Sequence, residues 1–399
     1  MKVTSLFIGK LTVSRANFAE CQNSSITICA AASGRMENKM RIEEIDSNFQ
    51  LETQIKREGL RFLNVTEKPF TVHGLIRISD RWVRMPLDIA EKVNPGVYQL
   101  AKNTAGGRVR FTTDSPYVAI KSVQPPAGTM PHMPLTGHAG FDLYLGEGRD
   151  SAYYRSFVPP ATLQSGNGYE SIIDLTPETL AEGDLRTFTI NFPLYHGVYE
   201  LYIGLKEGSI LQSAPDYSVR TPFVFYGSSI TQGGCASRPG TCYQGWLSRW
   251  FDADYINLGF SGSARGEDEI ADYIAGLPMS AFIYDYDYNS PTYDTLVATH
   301  ERMLRKIRAV HPDLPIICAS RPRFPLNAEE TARRDLIAAN VEKLKAEGDR
   351  LISFVPGKEL IAFGGTEGTV DYCHPTDLGF YSMALRFAEE LEKYGFERK

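Results

Sequence analysis

The chain has 399 residues, a length that predicts roughly two or three domains. Apolar residues make up 43% of the chain and charged residues 23%. This balance is typical of folded globular domains and excludes a disordered, fibrous or coiled-coil protein. The net charge of -6 argues against a nucleic-acid partner, because binding to a phosphate backbone requires a basic surface. The sequence contains no run of about 18 uncharged apolar residues, which is the pattern that would predict a membrane span.

The six cysteines are too few for a disulfide scaffold in a chain of this length, so we interpret them as mostly free thiols. Cys235 and Cys242 are close enough in sequence to bridge, and both a disulfide and two free thiols stay open at this point. Lys10 interrupts the apolar run that follows Lys2, so this run is a poor match to a signal peptide. We therefore expect a cytoplasmic rather than a secreted protein. Residues 1–44 show no clear period, and we interpret them as an N-terminal extension that is either disordered or non-native.

Short alternating runs dominate residues 45–215, where turn residues separate them. This pattern predicts antiparallel β-structure, and no helical period longer than two turns competes with it. We therefore predict a β-sandwich domain of jelly-roll type over residues 45–215. The clearest predicted strands are 61–65, 70–78, 108–112, 117–122, 141–145, 186–191 and 198–204.

Buried-strand runs alternate with helical stretches in residues 216–399. Strands and helices that alternate in this way indicate right-handed crossovers and a parallel sheet with helices on both faces. We predict a three-layer α/β/α domain over this range. Its predicted strands are 223–226, 255–259, 281–286, 316–319 and 351–355, and its predicted helices are 243–251, 268–275, 292–310, 328–346 and 375–394.

A candidate nucleophile follows the first predicted parallel strand. Ligands of open α/β sheets bind at the carboxyl ends of the strands, where Gly227 leads into Ser229. A serine that follows a glycine-containing turn and begins a helix exposes its hydroxyl, as acyl transfer requires. The alternative is a serine that only caps the helix. The segment is not the Gly-x-Ser-x-Gly elbow, because Thr231 stands where the second glycine belongs, and it lacks the Gly-Lys-Ser/Thr of a phosphate loop.

A candidate base lies on the loop before the last predicted helix. His374 follows Asp371 by three positions. Such a carboxylate can accept a hydrogen bond from one ring nitrogen while the other ring nitrogen faces a serine. We interpret the remaining histidines as ordinary surface or core residues: His73, His132, His138, His196, His300 and His311.

Two further strand ends supply candidate donors to an oxyanion. Gly262 lies in a glycine-rich segment after the second parallel strand, and Asn289 follows the third. A backbone N–H and a side-chain amide at these places can both face a ligand. The alternatives are an N-cap role for Asn289 before Pro291, and a solvated strand edge or a metal site at Asp285 and Asp287. No His/Cys spacing supports a metal, so we expect no metal and no cofactor.

Taken in chain order, these segments resemble the four blocks of the SGNH, or GDSL-type, hydrolase superfamily. The resemblance covers residues 223 to about 397. The matching blocks are Gly227-Ser228-Ser229-Ile230-Thr231 with Gly233, then Gly262, then Asn289, then Asp371-x-x-His374-Pro375. Two positions depart from the family pattern, since Ser228 replaces the usual Asp of the first block and Asp287 replaces the usual Gly of the third. These departures indicate a particular subfamily.

The resemblance implies a Ser-His-Asp site in which Ser229 is the nucleophile, His374 the base and Asp371 the orienting carboxylate. It also implies three oxyanion donors, namely the backbone N–H groups of Ser229 and Gly262 and the amide of Asn289. No cofactor is needed for this chemistry.

The first half of the chain carries a second resemblance. Residues 140–144 match the Gly-x-Asp-Leu-Tyr signature of the N-terminal domain found in bacterial SGNH-type esterases. A jelly-roll-like module before an SGNH domain is also similar to bimodular carbohydrate acetylesterases. The resemblance implies a serine esterase for short-chain acyl esters, above all O-acetyl groups on sugars, with a small acylated substrate and no nucleic acid or membrane partner. The alternatives are a lipase or thioesterase of the same superfamily, and a carbohydrate-binding protein with an inert hydrolase domain.

The loop before this signature is long, rich in Gly and Pro, and contains Met and His residues. Long loops of this composition are typically functional. We expect it to lie over the crevice at Ser229 and to form part of the pocket for the leaving sugar. The alternative is a loop that faces solvent, with Phe141 and Leu143 in the sandwich core.

Overall fold

Antiparallel strands fill the first half of the chain in the computed structural model, which describes residues 53–176 and 184–398. The predicted extension, residues 1–44, lies outside the described residues. The strands of this half are β1 (Leu60–Asn64), β2 (Thr71–His73), β3 (Ile76–Ile78), β4 (Arg81–Val83), β5 (Arg108–Thr113), β6 (Tyr117–Val123), β7 (Phe141–Leu145), β8 (Ala152–Phe157), β9 (Gly168–Asp174), β10 (Arg186–Asn191), β11 (Glu200–Lys206) and β12 (Leu211–Gln212).

These strands form two main sheets. The first has the order β1-β11-β6-β9, and the second has the order β12-β5-β10-β7-β8 with β2 added beside β5, while β3 and β4 pair with each other. Alternate side chains of both sheets meet in one apolar core, as the two-residue period of a strand requires. Phe141 and Leu143 of β7 lie in this core and are fully buried.

Two differences from the predicted elements have local causes. The predicted strand 70–78 is divided into β2 and β3, because Gly74 adopts a left-handed conformation between them. Short helices α1 (Leu87–Val93), α2 (Pro95–Leu100) and α3 (Leu135–His138) also interrupt the β-structure. Asn94 separates the first two, and its side chain accepts a hydrogen bond from the Val97 N–H at the start of α2. Helices this short give too little periodicity to predict.

The second half contains five parallel strands and the helices that connect them, which confirms the predicted α/β class. The strands are β13 (Val219–Gly227), β14 (Ala253–Gly259), β15 (Ala281–Asp285), β16 (Ile316–Ala319) and β17 (Ile352–Val355). The helices are α4 (Ser229–Gln232), α5 (Tyr243–Phe251), α6 (Asp268–Ala275), α7 (Tyr293–Val310), α8 (Ala328–Ala346), α9 (Gly357–Leu360) and α10 (Asp377–Lys393).

The strand order in the sheet is β14-β13-β15-β16-β17. The chain therefore leaves β13 on one side to form β14 and crosses back to form β15 on the other side. Such a reversal opens a crevice at the carboxyl ends of β13 and β15, where ligands of this fold class bind. In the described residues, no helix is both long and apolar enough to cross a membrane.

Apolar cores cover both faces of the parallel sheet. Val224 and Tyr226 of β13 pack into one core, and Phe223 and Phe225 pack into the other. The first core also contains residues of α1 and α2, so a segment from the first half of the chain helps to cover the parallel sheet. The described residues, 53–176 and 184–398, form one compact unit. The division into domains at residue 215 stays a prediction.

The thiols of the described residues are unbridged. Cys235, Cys242, Cys318 and Cys373 are free. The disulfide between Cys235 and Cys242, one of the two alternatives above, is therefore wrong.

Asp142, the acidic residue of the Gly-x-Asp-Leu-Tyr signature, joins the two halves of the chain. Its carboxylate is fully buried and accepts hydrogen bonds from the Asn191 amide at 2.7 Å and from the Gly240 N–H at 2.8 Å. Arg238 lies 3.5 Å from the same carboxylate and donates to the Tyr144 hydroxyl at 2.5 Å. The signature thus fixes the turn that precedes α5 against strand β7.

We expect Asp142→Ala to lower the free energy of unfolding by about 3 kcal/mol, because it leaves buried donors without an acceptor. Urea denaturation measures this loss. The control is Asp216→Ala, which removes an ion pair to Arg220 whose side chains are 61% and 76% exposed. This control is expected to cost less than about 1 kcal/mol. Equal losses in the two variants would contradict the proposed contact.

Candidate active site

Ser229 lies two residues beyond the end of strand β13. Gly227, the last residue of that strand, is in register with Gly259 of β14 and Asp285 of β15. A Cβ at Gly227 would lie 2.0 Å from the Asp285 carbonyl oxygen, so this close approach of two strands requires glycine. The Ser228 hydroxyl accepts a hydrogen bond from the Ile230 N–H at 3.2 Å and caps α4. Ser229 is therefore the first helical residue.

Ser229, His374 and Asp371 form a continuous chain of hydrogen bonds. The Ser229 Oγ lies 2.9 Å from His374 Nε2, and Asp371 Oδ2 lies 2.7 Å from His374 Nδ1. The other oxygen of Asp371 accepts from the backbone N–H groups of His374 at 2.7 Å and of Cys373 at 3.1 Å. This turn places Tyr372 at φ 66, which is uncommon for a bulky residue. The arrangement has the geometry that general-base activation of a serine requires.

The Asp371 carboxylate is held in its ionised form. Burial opposes its ionisation, but the hydrogen bonds from the backbone and ring of His374 outweigh burial, so the pKa of Asp371 lies below its usual value. A carboxylate at this position keeps the proton of the neutral imidazole on Nδ1. Nε2 is then free to accept a proton from the serine.

The three predicted oxyanion donors follow three adjacent strand ends. In the described residues, neither the Ser229 N–H nor the Gly262 N–H donates a hydrogen bond to another protein group. Gly262 adopts φ +67, and the space beside its Cα is open. The Asn289 side-chain amide donates to the Phe260 carbonyl at 2.7 Å, which fixes its orientation. The alternative N-cap role of Asn289 is wrong, because Thr292 caps α7.

Asp287, the residue that departs from the family pattern, supports the loop that carries Asn289. It is buried, and Arg321 donates to its two carboxylate oxygens at 2.9 and 3.0 Å. Arg333 donates to the backbone carbonyl of the neighbouring Ser290 at 3.0 Å. The alternative interpretation as a solvated strand edge is therefore wrong. A buried carboxylate that is paired in this way holds the loop in one conformation.

Asp285 contacts the turn that carries the nucleophile. Its backbone carbonyl accepts from the Ser228 N–H at 3.2 Å, and its side chain is almost completely buried. Burial, reinforced by the nearby charge of Asp287, raises the pKa of Asp285 to about 8. The side chain is therefore a neutral carboxylic acid at neutral pH.

The first half of the chain contacts the segments that carry the site. Tyr195 donates a hydrogen bond from its hydroxyl to the Ser229 carbonyl oxygen at 3.0 Å. The Gln232 amide donates to the Leu194 carbonyl at 3.2 Å and accepts from the Ser261 N–H at 3.1 Å. Tyr195 follows the predicted strand 186–191, and nothing in the sequence indicates its contact with Ser229.

Arg84 and Asn94 hold the segment around Gly262, and the Asn94 amide donates to the Ser263 carbonyl at 3.0 Å. Arg84 is buried, donates to the carbonyls of Gly259 and Leu100, and lies over the Phe260 ring at 4.6 Å. Burial lowers the pKa of Arg84 to about 9, so its guanidinium is charged at neutral pH. Sequence reasoning missed Arg84. The available signal was a single charge inside the apolar run 82–85.

The loop before β7 lies beside the same site. The His132 ring centroid is 5.7 Å from that of His374, and His132 is exposed. Met133 is buried in the core that includes Leu194 and Ile230. The interpretation of His132 as an ordinary histidine missed this position, because nothing local in the sequence links the two histidines.

Comparisons with known proteins agree with this architecture. Residues 220–392 match the model of the GDSL-like lipase/acylhydrolase family, and residues 60–211 match the N-terminus of SGNH-hydrolase-type esterases. A comparison with curated proteins finds no match. The two family matches define the class of protein, a carboxylic ester hydrolase. Residues 220–392 are thus similar to the GDSL-like lipase/acylhydrolase family, and residues 60–211 are similar to the N-terminal region of SGNH-type esterases.

Three solved structures are similar over most of the chain. A Bacteroides ovatus protein assigned as a GDSL-like lipase is 27% identical, with a TM-score of 0.75 over 85% of this chain and 99% of its own. The salicylyl-acyltransferase SsfX3 of a tetracycline biosynthetic pathway is 20% identical, with a TM-score of 0.68 over 85% and 99%. An acetyl xylan esterase, Est2A of the rumen bacterium Butyrivibrio proteoclasticus, is 12% identical, with a TM-score of 0.52 over 84% and 100%. The last two show a shared fold.

The neutral carboxyl of Asp285 generates a prediction about stability and pH. In the folded protein the pKa of Asp285 is about 8, above its ordinary value of 3.8. Between pH 3.8 and about pH 8, unfolding therefore releases a proton from this carboxyl group. The stability of the wild-type protein thus falls as the pH rises through this range. Asn keeps the shape of the carboxyl group and cannot ionise. The melting temperature of Asp285→Asn, relative to wild type, should therefore increase from about pH 5 to about pH 8.

Asp313→Asn is the control for this prediction, because Asp313 is exposed on the loop before β16. Its melting temperature should differ from wild type by the same amount at both pH values. A difference between Asp285→Asn and wild type that is constant with pH would show that Asp285 is ionised in the folded protein.

Proposed function

We propose that the protein is a serine esterase that hydrolyses short-chain acyl esters, above all O-acetyl groups on carbohydrates. The observation that carries this proposal is the chain of hydrogen bonds from Ser229 through His374 to Asp371, at 2.9 and 2.7 Å. The N–H groups of Ser229 and Gly262, which donate to no other group in the described residues, and the amide of Asn289 support it, because these three residues follow adjacent strand ends.

In the first half of the reaction, the Ser229 Oγ attacks the carbonyl carbon of the ester while His374 Nε2 takes the hydroxyl proton. The carbonyl oxygen becomes an oxyanion, which accepts hydrogen bonds from the donors at positions 229, 262 and 289. The C–O bond to the alcohol then breaks, and the imidazolium of His374 gives its proton to the departing alkoxide. The acyl group remains on the serine.

In the second half, a water molecule attacks the acyl-enzyme and gives its proton to His374. The second tetrahedral intermediate collapses, the carboxylic acid leaves, and the Ser229 oxygen recovers its proton. Asp371 keeps the ring in one orientation through both halves and stabilises the imidazolium each time it forms. No atom of a cofactor takes part.

A carbohydrate is the leaving group that best fits the surroundings of His374. The group that gives its proton to the alcohol must contact that alcohol, so the residues beside the ring of His374 face the leaving group. His132 is exposed at this place, with its ring centroid 5.7 Å from that of His374. An imidazole can both donate and accept hydrogen bonds, which suits the hydroxyl groups of a sugar. The fold shared with an acetyl xylan esterase supports the same assignment.

The proposal predicts a graded loss of activity in the hydrogen-bond chain. His374→Ala and Ser229→Ala should each lower kcat on a chromogenic acetyl ester by about 10⁶-fold. Asp371→Ala should lower kcat by about 10⁴-fold, because the base stays in place without its orienting partner.

The matched control is Asp377→Asn. Asp377 is a nearby carboxylate that accepts from Ser237 and Thr241, and Asn keeps one of the acceptor oxygens. This variant should stay within about tenfold of wild type. If Ser229→Ala retained wild-type activity, the proposed nucleophile would be wrong. If wild type had no activity on any ester, the carbohydrate-binding alternative would be favoured.

A lipase is the second candidate, and exposed apolar side chains favour it. Phe363, Val370 and Leu378 are 54%, 46% and 40% exposed, and all three lie in the part of the chain that carries His374. Exposed apolar side chains of this size can contact a long acyl chain. Against this, Ser229 is only 9% exposed and its hydroxyl is hydrogen-bonded to His374, which favours a small acyl group.

A series of acyl esters distinguishes these candidates. With the same alcohol and acyl chains from acetyl to octanoyl, the proposal predicts that kcat/KM for acetyl exceeds that for butyryl by about tenfold, equal to about 1.4 kcal/mol. A preference for octanoyl would favour the lipase. Acetylated oligosaccharides in the same assay test the proposed alcohol.

A further inference from the structure

Three side chains of types that can bind metal ions come from distant parts of the sequence and lie close together at the active site. They are His132 on the loop before β7, Cys235 on the turn after α4, and His374. Their nitrogen and sulfur atoms all lie within 4.8 Å of one another. This is the one such group of three among residues 53–176 and 184–398. No local His/Cys spacing indicates this group, because its three residues are far apart in the sequence.

The surrounding structure holds two of the three residues in place. The Cys235 N–H donates to the carbonyl of Pro375, the residue after His374, at 3.2 Å. Asp371 fixes the His374 ring through Nδ1 at 2.7 Å, and Nε2 lies 2.9 Å from the Ser229 Oγ. Such a carboxylate partner on the second ring nitrogen is typical of metal-binding histidines. His132 is exposed, so its side chain has room to turn toward the other two ligands.

The ligand set and its dimensions suit zinc. Zinc prefers four tetrahedral ligands, with Zn–N distances of about 2.0 Å and Zn–S distances of about 2.3 Å, which place neighbouring ligand atoms about 3.5 Å apart. The observed spread of up to 4.8 Å needs a contraction of about 1 Å. Thiolate and imidazole ligands also favour zinc over magnesium or calcium, which prefer oxygen.

We propose that His132, Cys235 and His374 bind a Zn²⁺ ion, and that the bound ion stops ester hydrolysis. The inhibitory part rests on the function proposed above, whereas binding itself does not. Coordination by His374 Nε2 removes the lone pair that accepts the proton of Ser229. A water molecule takes the fourth coordination position. The site thus couples the activity of the esterase to the concentration of zinc.

Binding displaces one proton. The Cys235 thiol loses its proton to solvent and coordinates as a thiolate, while both imidazoles coordinate in their neutral form. Without metal, burial raises the pKa of Cys235 to about 12, so the thiol is neutral. The charge of the ion offsets this effect of burial, since a coordinated thiol is deprotonated.

Cobalt binding tests the site independently of catalysis. Co²⁺ replaces Zn²⁺ in such sites, and a thiolate ligand gives it a near-ultraviolet charge-transfer absorption. Titration of the full chain with Co²⁺ should produce this absorption in wild type, and equimolar Zn²⁺ should remove it. Cys235→Ala should abolish the absorption, whereas the matched control Cys373→Ala should keep it, because Cys373 is outside the group of three. Loss of the absorption in Cys373→Ala alone would overturn the proposal.

Zinc inhibition tests the consequence. Zn²⁺ should inhibit hydrolysis of an acetyl ester by wild type, and EDTA should restore activity. Cys235→Ala and His132→Ala should each raise the half-inhibitory zinc concentration, relative to the uninhibited rate of the same variant, by at least about tenfold. His132 is exposed, so this variant should fold even if Cys235→Ala does not.

The outcomes separate the two proposals. Equal zinc sensitivity in wild type and both variants would overturn the zinc site, because the ion would then act elsewhere. Absence of a cobalt absorption in wild type would also overturn it. A cobalt absorption in a protein without esterase activity would support the site and contradict the proposed function.

Discussion

The register of three parallel strands sets the geometry on which the rest of the site depends. Gly227 of β13 lies level with Gly259 of β14 and Asp285 of β15, and the backbone ladder between them fixes these strand ends side by side. Segments that continue from the three ends therefore reach the same crevice. Ser229 and the two other predicted oxyanion donors occupy these segments. The hydrogen bonds of the sheet thus set the distances within the site, and the loop before α10 needs to add only the base and its carboxylate.

Buried charges hold the loops that the sheet does not control. Arg84 fixes the segment after β14, Asp287 fixes the loop after β15, and Asp142 fixes the turn before α5. Removing a charged side chain from water is costly, and each of these three side chains makes several hydrogen bonds that offset this cost. Arg84 and Asp142 belong to the first half of the chain, as does Tyr195, which bonds to the backbone of Ser229. The geometry of the site therefore depends on both halves of the chain.

Sequence reasoning succeeded where the signal is local. Alternation of strands and helices predicted the parallel sheet, and the segments around Ser229 and His374 were recognisable because the functional groups lie next to strand ends or within one turn. It failed where a contact joins distant residues. Nothing near Arg84 or His132 indicates the segments that they contact, and the two short helices after residue 86 have too few turns for a helical period. Asp287 was open to several interpretations, because its partner Arg321 lies on another loop.

The central claim is that Ser229 is the nucleophile and that His374 activates it. The most direct measurement is covalent labelling with an organophosphonate probe, followed by digestion and peptide mapping. We expect a single label on Ser229 in wild type and a large loss of labelling rate in His374→Ala. A label on Ser228, Ser261 or Ser263, or unchanged labelling without His374, would contradict it.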